Sequence, residues 1–395
     1  MMIKKYTFLF LCLLCINQAF SQRVNTLGLS KFSQISIITS GPGEALYEKF
    51  GHTAIRVKDP VLQLDLLYNY GIFDFDDPNF YVNFTKGYMK YKLARYPFHL
   101  SLKSAQRDKR WVKEQILNLT QQQRNDFFQF LETNVLPENA SYFYDPFFDN
   151  CATRPRDIIQ KVTENNLVFK DNFVTKYLSL RQLMNKEINP NTWGSLGINI
   201  ALGSKLDKIA APKEYLYLPD YVFEALSVSK IVKDEKEENL VRKTNVLLDF
   251  EEKESKSDII NPFLVILLFS LFGMFITYKD IKNSKRTKWF DFVLFFTTGI
   301  LGLLIVFLWF FTNHSTAPNN FNFLWAFAPN LVVAIFLLKE IPPKWIYGYC
   351  IVLLIFILII PFIWLFSIQL YTYPMIPLFL LLGTRYFFLQ KALKS

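Results

Sequence analysis

Cysteine is scarce in this chain. Four occur in 395 residues, Cys12, Cys15, Cys151 and Cys350, and all but Cys151 fall in stretches that read as signal peptide or membrane span. A small exported domain stapled by disulfides needs paired cysteines. That class is excluded, because the exported part keeps a single thiol with no partner. Histidine is as rare: His52, His99 and His314 are the only three, so any thiol chemistry has few bases to choose from. No internal repeat is visible, and no metal or cofactor is expected. Beyond the first 21 residues, long uncharged apolar runs are missing until about residue 258 and dominate after it. With 51% hydrophobic residues and 41 Phe, this is not one ordinary soluble domain.

What is present gives a topology. Lys4 and Lys5, an apolar run and Ala19-Phe20-Ser21 before Gln22 read as a secretory signal peptide over 1–21. Leu14 before Cys15 is not the small residue that lipidation wants, so cleavage is expected. Residues 22–229 then form an exported domain, 230–258 a charged linker or solvated helix, and 259–395 a membrane domain. Ile259–Tyr278, Phe292–Asn313 and Phe321–Leu338 are expected as spans. The run from Trp345 to Thr384 is long enough for two more, which makes five. Lys279, Lys282, Lys285, Arg286 and Lys288, then Lys339 and Lys344, then Lys391 and Lys394 fall on one side if the spans alternate. The positive-inside rule puts that side in the cytoplasm and residues 22–258 outside the inner membrane. Part of the net charge of +10 sits in those loops and part in Lys86–Lys113, where basic residues alternate with Tyr88, Tyr91, Tyr96 and Phe98. That stretch suits an anionic lipid surface, a bilayer rather than nucleic acid, or a plain solvated face.

Chemistry concentrates at Tyr142–Asp157, YFYDPFFDNCATRPRD. Asp149 and Asn150 are cap-forming residues, and Pro155 is tolerated only in a first helical turn. Cys151 is therefore expected at or just before the start of a helix running through Asp157, Ile158, Ile159 and Val162. There the unpaired N–H groups, the dipole, Arg154 and Arg156 favour a thiolate. The bland alternative is a buried cysteine acting as a small hydrophobe. A thiol nucleophile needs a base. His52 is the best candidate, since it opens a strand after the Gly41/Gly43 turn and Gly51; His99 is read as structural. Asn69 on the neighbouring strand is chosen to orient the imidazole, ahead of Asp65 and Tyr70.

Alternation predicts strands at Gln34–Ser40, Gly51–Val57, Leu64–Phe73 and Tyr91–Phe98. A helix is expected from about Ala105 carrying Trp111, Val112, Ile116 and Leu117. Another follows the capping-box pair Thr120 and Gln123, with Phe127, Phe128, Phe130 and Leu131 inward. Residues 165–228 read as mostly helical.

The motifs Gly41-Pro42-Gly43-Glu44, Phe50-Gly51-His52, Arg56 and Phe147 to Asp157, followed by a multi-span part, resemble the Lnb-type lipoprotein N-acyltransferases. The order histidine, strands, cysteine, helix also resembles the permuted relatives of the NlpC/P60 peptidases. The resemblance implies an α+β, circularly permuted papain-like exported domain followed by an all-α five-helix transmembrane domain. Cys151 and His52, with Asn69 chosen from the neighbouring strand, are the expected catalytic set. Glu44 and Arg154 are the implied substrate-binding residues of the exported domain. His314, Asn320, Asn322 and Trp325 join them from a loop matching H…N-x-N-x-x-W, for which a polar turn with an interfacial tryptophan is the simpler alternative. The activity implied is transfer of an acyl chain from a membrane phospholipid, through a Cys151 thioester, to the α-amine of a diacylated lipoprotein. A membrane-tethered cysteine amidase acting on cell-wall peptides, and a non-catalytic envelope scaffold, are the rival classes.

Overall fold

The computed structural model describes residues 28–394 except positions 75, 165, 234 and 253. The signal-peptide reading of 1–21 lies outside the described residues. Gln34–Ser40 (β1), His52–Asp59 (β2) and Leu64–Ile72 (β3) appear where the alternation predicts strands. Phe80–Lys86 (α1), Lys90–Pro97 (β4), Phe98–Arg107 (α2), Val112–Leu117 (β5), Gln121–Asn134 (α3), Ser141–Phe143 (β6) and Thr153–Val162 (α4) follow. Then come Leu167–Val168 (β7), Leu180–Glu187 (α5), Trp193–Ala201 (α6), Pro212–Tyr215 (α7), Pro219–Val228 (α8), Lys230–Lys233 (β8), Lys236–Asn239 (β9) and Val241–Leu248 (β10).

One antiparallel sheet in the order β10-β5-β1-β2-β3-β4-β6 organises this domain. The period of two sorts its side chains. Ile55, Val57, Tyr68 and Tyr70 join a large core with Phe127 and Leu131 of α3 and Ile158 and Ile159 of α4. Ala54 and Leu67 face a smaller one with Phe98 and Ala105 of α2. The capping box at α3 forms as expected: Gln123 N–H donates to the Thr120 hydroxyl at 3.2 Å and Thr120 N–H to the Gln123 side chain at 2.9 Å.

Two expectations for the sheet-rich part are corrected. The helix carrying Val112, Ile116 and Leu117 is instead strand β5, lying between β1 and β10. The preceding helix stops at Arg107, and Lys109 takes φ 52°, a left-handed conformation that breaks the helical run. Apolar residues spaced by four suit either period, and pairing on both edges decides for the strand. The charged linker over 230–258 is also largely folded. Residues 230–248 form β8, β9 and β10, and β10 edges the main sheet. The charges of β9 point outward while Ile231 and Leu240 are fully buried.

Past residue 258 the described residues contain the helices Pro262–Asn283 (α9), Lys288–Phe310 (α10), Asn330–Leu337 (α11), Trp345–Leu365 (α12) and Ile376–Ala392 (α13). Of these α9, α10 and α12 are long and apolar enough to cross a membrane. The stretch Phe321–Leu338, expected as a third helical span, is a 3-10 turn, a loop through Pro329 and the eight-residue α11. At 1.5 Å per residue α11 reaches about 12 Å, short of the roughly 30 Å of a bilayer core. Proline removes a helical donor, and Asn320 and Asn322 spend their side chains on backbone groups elsewhere, so no continuous helix forms there.

The exported domain meets one end of this bundle. Trp193 Nε1–H donates to Ile260 O at 2.8 Å before α9, and Asn313 N–H to Lys86 O at 2.9 Å after α10. Leu370 N–H, after α12, donates to Asp207 at 3.1 Å. The basic loops gather at the other end, where Arg286 donates to Leu337 O and Lys339 O at 2.8 and 2.6 Å.

Candidate active site

Cys151 stands just ahead of α4, and the residue that shapes its turn is Asn150. The Asn150 side-chain oxygen accepts from Ala152 N–H and Thr153 N–H, both at 2.9 Å. Its amide donates to Pro146 O at 2.7 Å and to Tyr217 O at 2.9 Å. All of this is buried, so one side chain caps the helix and bolts the turn to the chain before α8. Pro155 lies in the first turn of α4, where its missing N–H costs nothing.

His52 opens β2 directly after Gly51, whose φ of 71° and whose would-be Cβ, 2.9 Å from Ser40 O, exclude a side chain there. The imidazole contacts the Cys151 thiol by a hydrogen bond. Its Nε2–H donates to Asn69 Oδ1 at 2.6 Å, and the Asn69 amide donates onward to the Tyr96 hydroxyl at 2.8 Å. Tyr96 thereby sets which way Asn69 points, and Asn69 holds the tautomer that leaves Nδ1 for sulfur. The expected trio of Cys151, His52 and Asn69 is thus brought together. Tyr96 was missed in that role. Its place in a basic, aromatic run masks it.

The electrostatics follow from burial and proximity. Burial is the largest single influence and by itself would raise the Cys151 thiol and lower His52; the partner's charge and the hydrogen bonds together outweigh it. The thiol ends below its ordinary value, helped by the backbone N–H groups of Thr53 and Cys151, and the imidazole ends above 6.5. A buried thiol so placed can act as a nucleophile, with His52 moving its proton.

The other expected residues are dispersed. Arg56 is structural: it pairs with Asp65 at 2.7 Å and Glu114 at 3.0 Å and lies 3.9 Å over the Phe98 ring. That commits Asp65 as well, so it is not the residue orienting His52. Arg154 grips Asp149, one contact measuring 2.6 Å, and stacks 4.0 Å over Tyr142. It also lines a cavity of about 340 Å³ with Phe130, Phe148 and Lys161. Glu44 is exposed in the β1–β2 loop near Lys49 and Arg110.

His314 packs its ring edge-on to Phe84, with centroids 6.4 Å apart. Its neighbour Ser315 donates to Asp145 at 2.5 Å, in the turn leading to Cys151. Asn320, Asn322 and Trp325 are buried, at 1%, 3% and 1% exposure. Asn320 donates to Ile200 O at 2.7 Å and Ala201 O at 3.1 Å; Asn322 donates to Asn199 O and Ile200 O at 3.2 Å and accepts from Trp325 Nε1–H at 2.8 Å. These groups satisfy the last carbonyls of α6. The structure places them at the junction between the two domains. Beside them Arg181, fully buried, pairs with Asp207 at 2.8 Å and donates to Leu202 O and Gly203 O. Among the described residues no group of histidine, cysteine and carboxylates could hold a metal.

A sheet-rich domain with a thiol–imidazole–amide line, seated on a bundle with three long apolar helices, defines a membrane protein with an exported site equipped for nucleophilic chemistry. Comparison with protein families gives a match to each of the two parts. Residues 25–186 match the Lnb N-terminal periplasmic domain, and residues 253–394 match the Lnb transmembrane domain. The chain belongs to the Lnb family, with a periplasmic domain followed by a membrane domain. Membership suggests a lipoprotein-modifying membrane enzyme. No curated protein and no solved structure matches the chain.

Proposed function

We propose that the protein is a lipoprotein N-acyltransferase of the bacterial inner membrane, working through an acyl thioester on Cys151. The observation that carries the reading is the Cys151–His52–Asn69 line in a domain docked directly on a membrane bundle. His52 takes the thiol proton, and the thiolate attacks an ester carbonyl of a phospholipid. The C–O bond breaks, the imidazolium protonates the departing alcohol, and the acyl chain stays on sulfur. The α-amine of a diacylglyceryl-cysteine then attacks the thioester. His52 receives the amine proton, the C–S bond breaks, and the thiol is restored with a triacylated product. The backbone N–H of Cys151 is the natural oxyanion donor. A thioester intermediate suits the task because amines attack it more readily than an ester.

The fold fits a permuted papain-like arrangement, with the histidine strand ahead of the cysteine helix. Five passes agree with the contacts at both ends: 321–338 starts against Asn199 and ends against Arg286, although α11 covers only its second half. The test is mass spectrometry of a lipoprotein N-terminus in a host lacking its own N-acyltransferase. The wild-type chain should convert diacyl to triacyl lipoprotein, and Cys151→Ser should leave it diacyl with the protein folded in the membrane. A diacyl product with folded wild type would instead favour the amidase reading, and full activity in Cys151→Ser would favour the scaffold.

A further inference from the structure

An unbroken line of aromatic rings joins the membrane loop to the thiol. It begins at His314, which follows α10 and touches Phe84. Phe84 stacks on Phe80 with centroids 6.1 Å apart and Phe80 on Phe73 at 5.8 Å; Phe73 meets Tyr91 at 4.9 Å and Tyr91 meets Tyr144 at 4.6 Å, both with tilted rings. Tyr144 ends it at Gly71, whose would-be Cβ lies 3.3 Å from the Tyr144 ring and 3.7 Å from Cys151 Cβ. A side chain at Gly71 would fill the last step before sulfur, and its φ of 95° favours glycine.

The outer end of this line is open. Helix α1 buries none of its residues, and Tyr81, Val82 and Phe84 are 68%, 51% and 47% exposed. Phe310 and Phe311, at the end of α10, are 65% and 69% exposed beside the same loop. Apolar side chains this exposed next to a membrane-crossing helix face lipid rather than water. A chain leaving the bilayer for a thiol above it needs continuous apolar contact, since each methylene returned to water is unfavourable.

We infer that the rings of Phe84, Phe80, Phe73, Tyr91 and Tyr144 form the path by which a fatty acyl chain of a membrane glycerolipid reaches Cys151. The inference rests on the acyl-transfer reading for its purpose, but not for its test. The rings line the route and Gly71 keeps its end clear of the sulfur. The occupant is an acyl chain because the rings run from exposed residues beside the end of membrane-crossing α10 to the nucleophile without a charged side chain in the stack.

The experiment uses the full chain carrying Cys151→Ala, reconstituted in vesicles of phosphatidylethanolamine and phosphatidylglycerol. A trace of phosphatidylethanolamine carries a diazirine midway along one acyl chain. After illumination, adducts are mapped by peptide mass spectrometry. Adducts are expected within residues 73–91 and at Tyr144, and Phe84→Glu, at a half-exposed position, should lower them about tenfold by placing a charge in the path. Adducts confined to the outward faces of α9–α13 overturn the inference, whether or not wild type acylates lipoproteins. Adducts on the rings, together with a wild type that never yields triacyl product, support the path and sink the transferase reading.

Discussion

His52 and Cys151 titrate as a unit, because each is buried against the other and each charge stabilises its partner. The thiolate is lost as pH falls through the lowered Cys151 value, and the imidazolium is lost as pH rises through the raised His52 value. The rate should therefore be bell-shaped in pH, the acid limb set by sulfur and the alkaline limb by imidazole. Alkylation by iodoacetamide isolates the first limb. The wild-type inflection should lie below the ordinary thiol value, and His52→Ala should move it upward; an unmoved inflection would sink the pairing. Asn69 acts through His52, so Asn69→Ala should lower kcat by about a hundredfold with KM little changed. Asn69→Asp should restore part of it. The chain pattern singled out these three residues because thiols and imidazoles are rare here and stand beside turn and cap residues. It could not single out Tyr96, one of 20 tyrosines, since only the pairing of β4 with β3 aims its hydroxyl at Asn69.

Elements were legible where one period is unambiguous or a cap marks the end. Helix α3 announces itself through Thr120 and Gln123, and α4 through Asn150 and Pro155. The turn before α4 carries most of the local order around sulfur. Asn150→Ala removes the oxygen that accepts from two N–H groups and the amide that donates to two carbonyls, and should destabilise the exported domain by about 2–4 kcal/mol. A thermal melt followed by circular dichroism reads this directly, and a loss under about 0.5 kcal/mol would contradict the capping role. Strand β5 was illegible for a physical reason. Val112 and Ile116 sit four apart, a spacing both periods allow, and only β1 and β10 on either side resolve it.

For the whole molecule, the decisive feature is how the exported domain is seated. Asn320 and Asn322 satisfy the end of α6, while Arg181 and Asp207 hold the adjoining turn and reach Leu370. A double change, Asn320→Ala with Asn322→Ala, leaves buried carbonyls of α6 unpaired. It should loosen the junction and speed hydrogen exchange across residues 193–207, with the Cys151 alkylation profile kept. If exchange is unchanged and only KM for phospholipid rises, these residues bind lipid after all.

The two-part organisation, a periplasmic domain ahead of a membrane domain, and the thiol and imidazole that meet in the first part were written in the chain by itself. Hydropathy, charge bias and the scarcity of thiols and imidazoles are properties of composition and order. What only the tertiary structure decided is which polar side chains remain available to a ligand. Arg56, Asn320, Asn322 and Trp325 look like site residues in a linear motif, yet their donors are consumed inside the fold. Burial obliges every such group to find a partner, and which partner lies within reach depends on contacts between residues far apart in sequence.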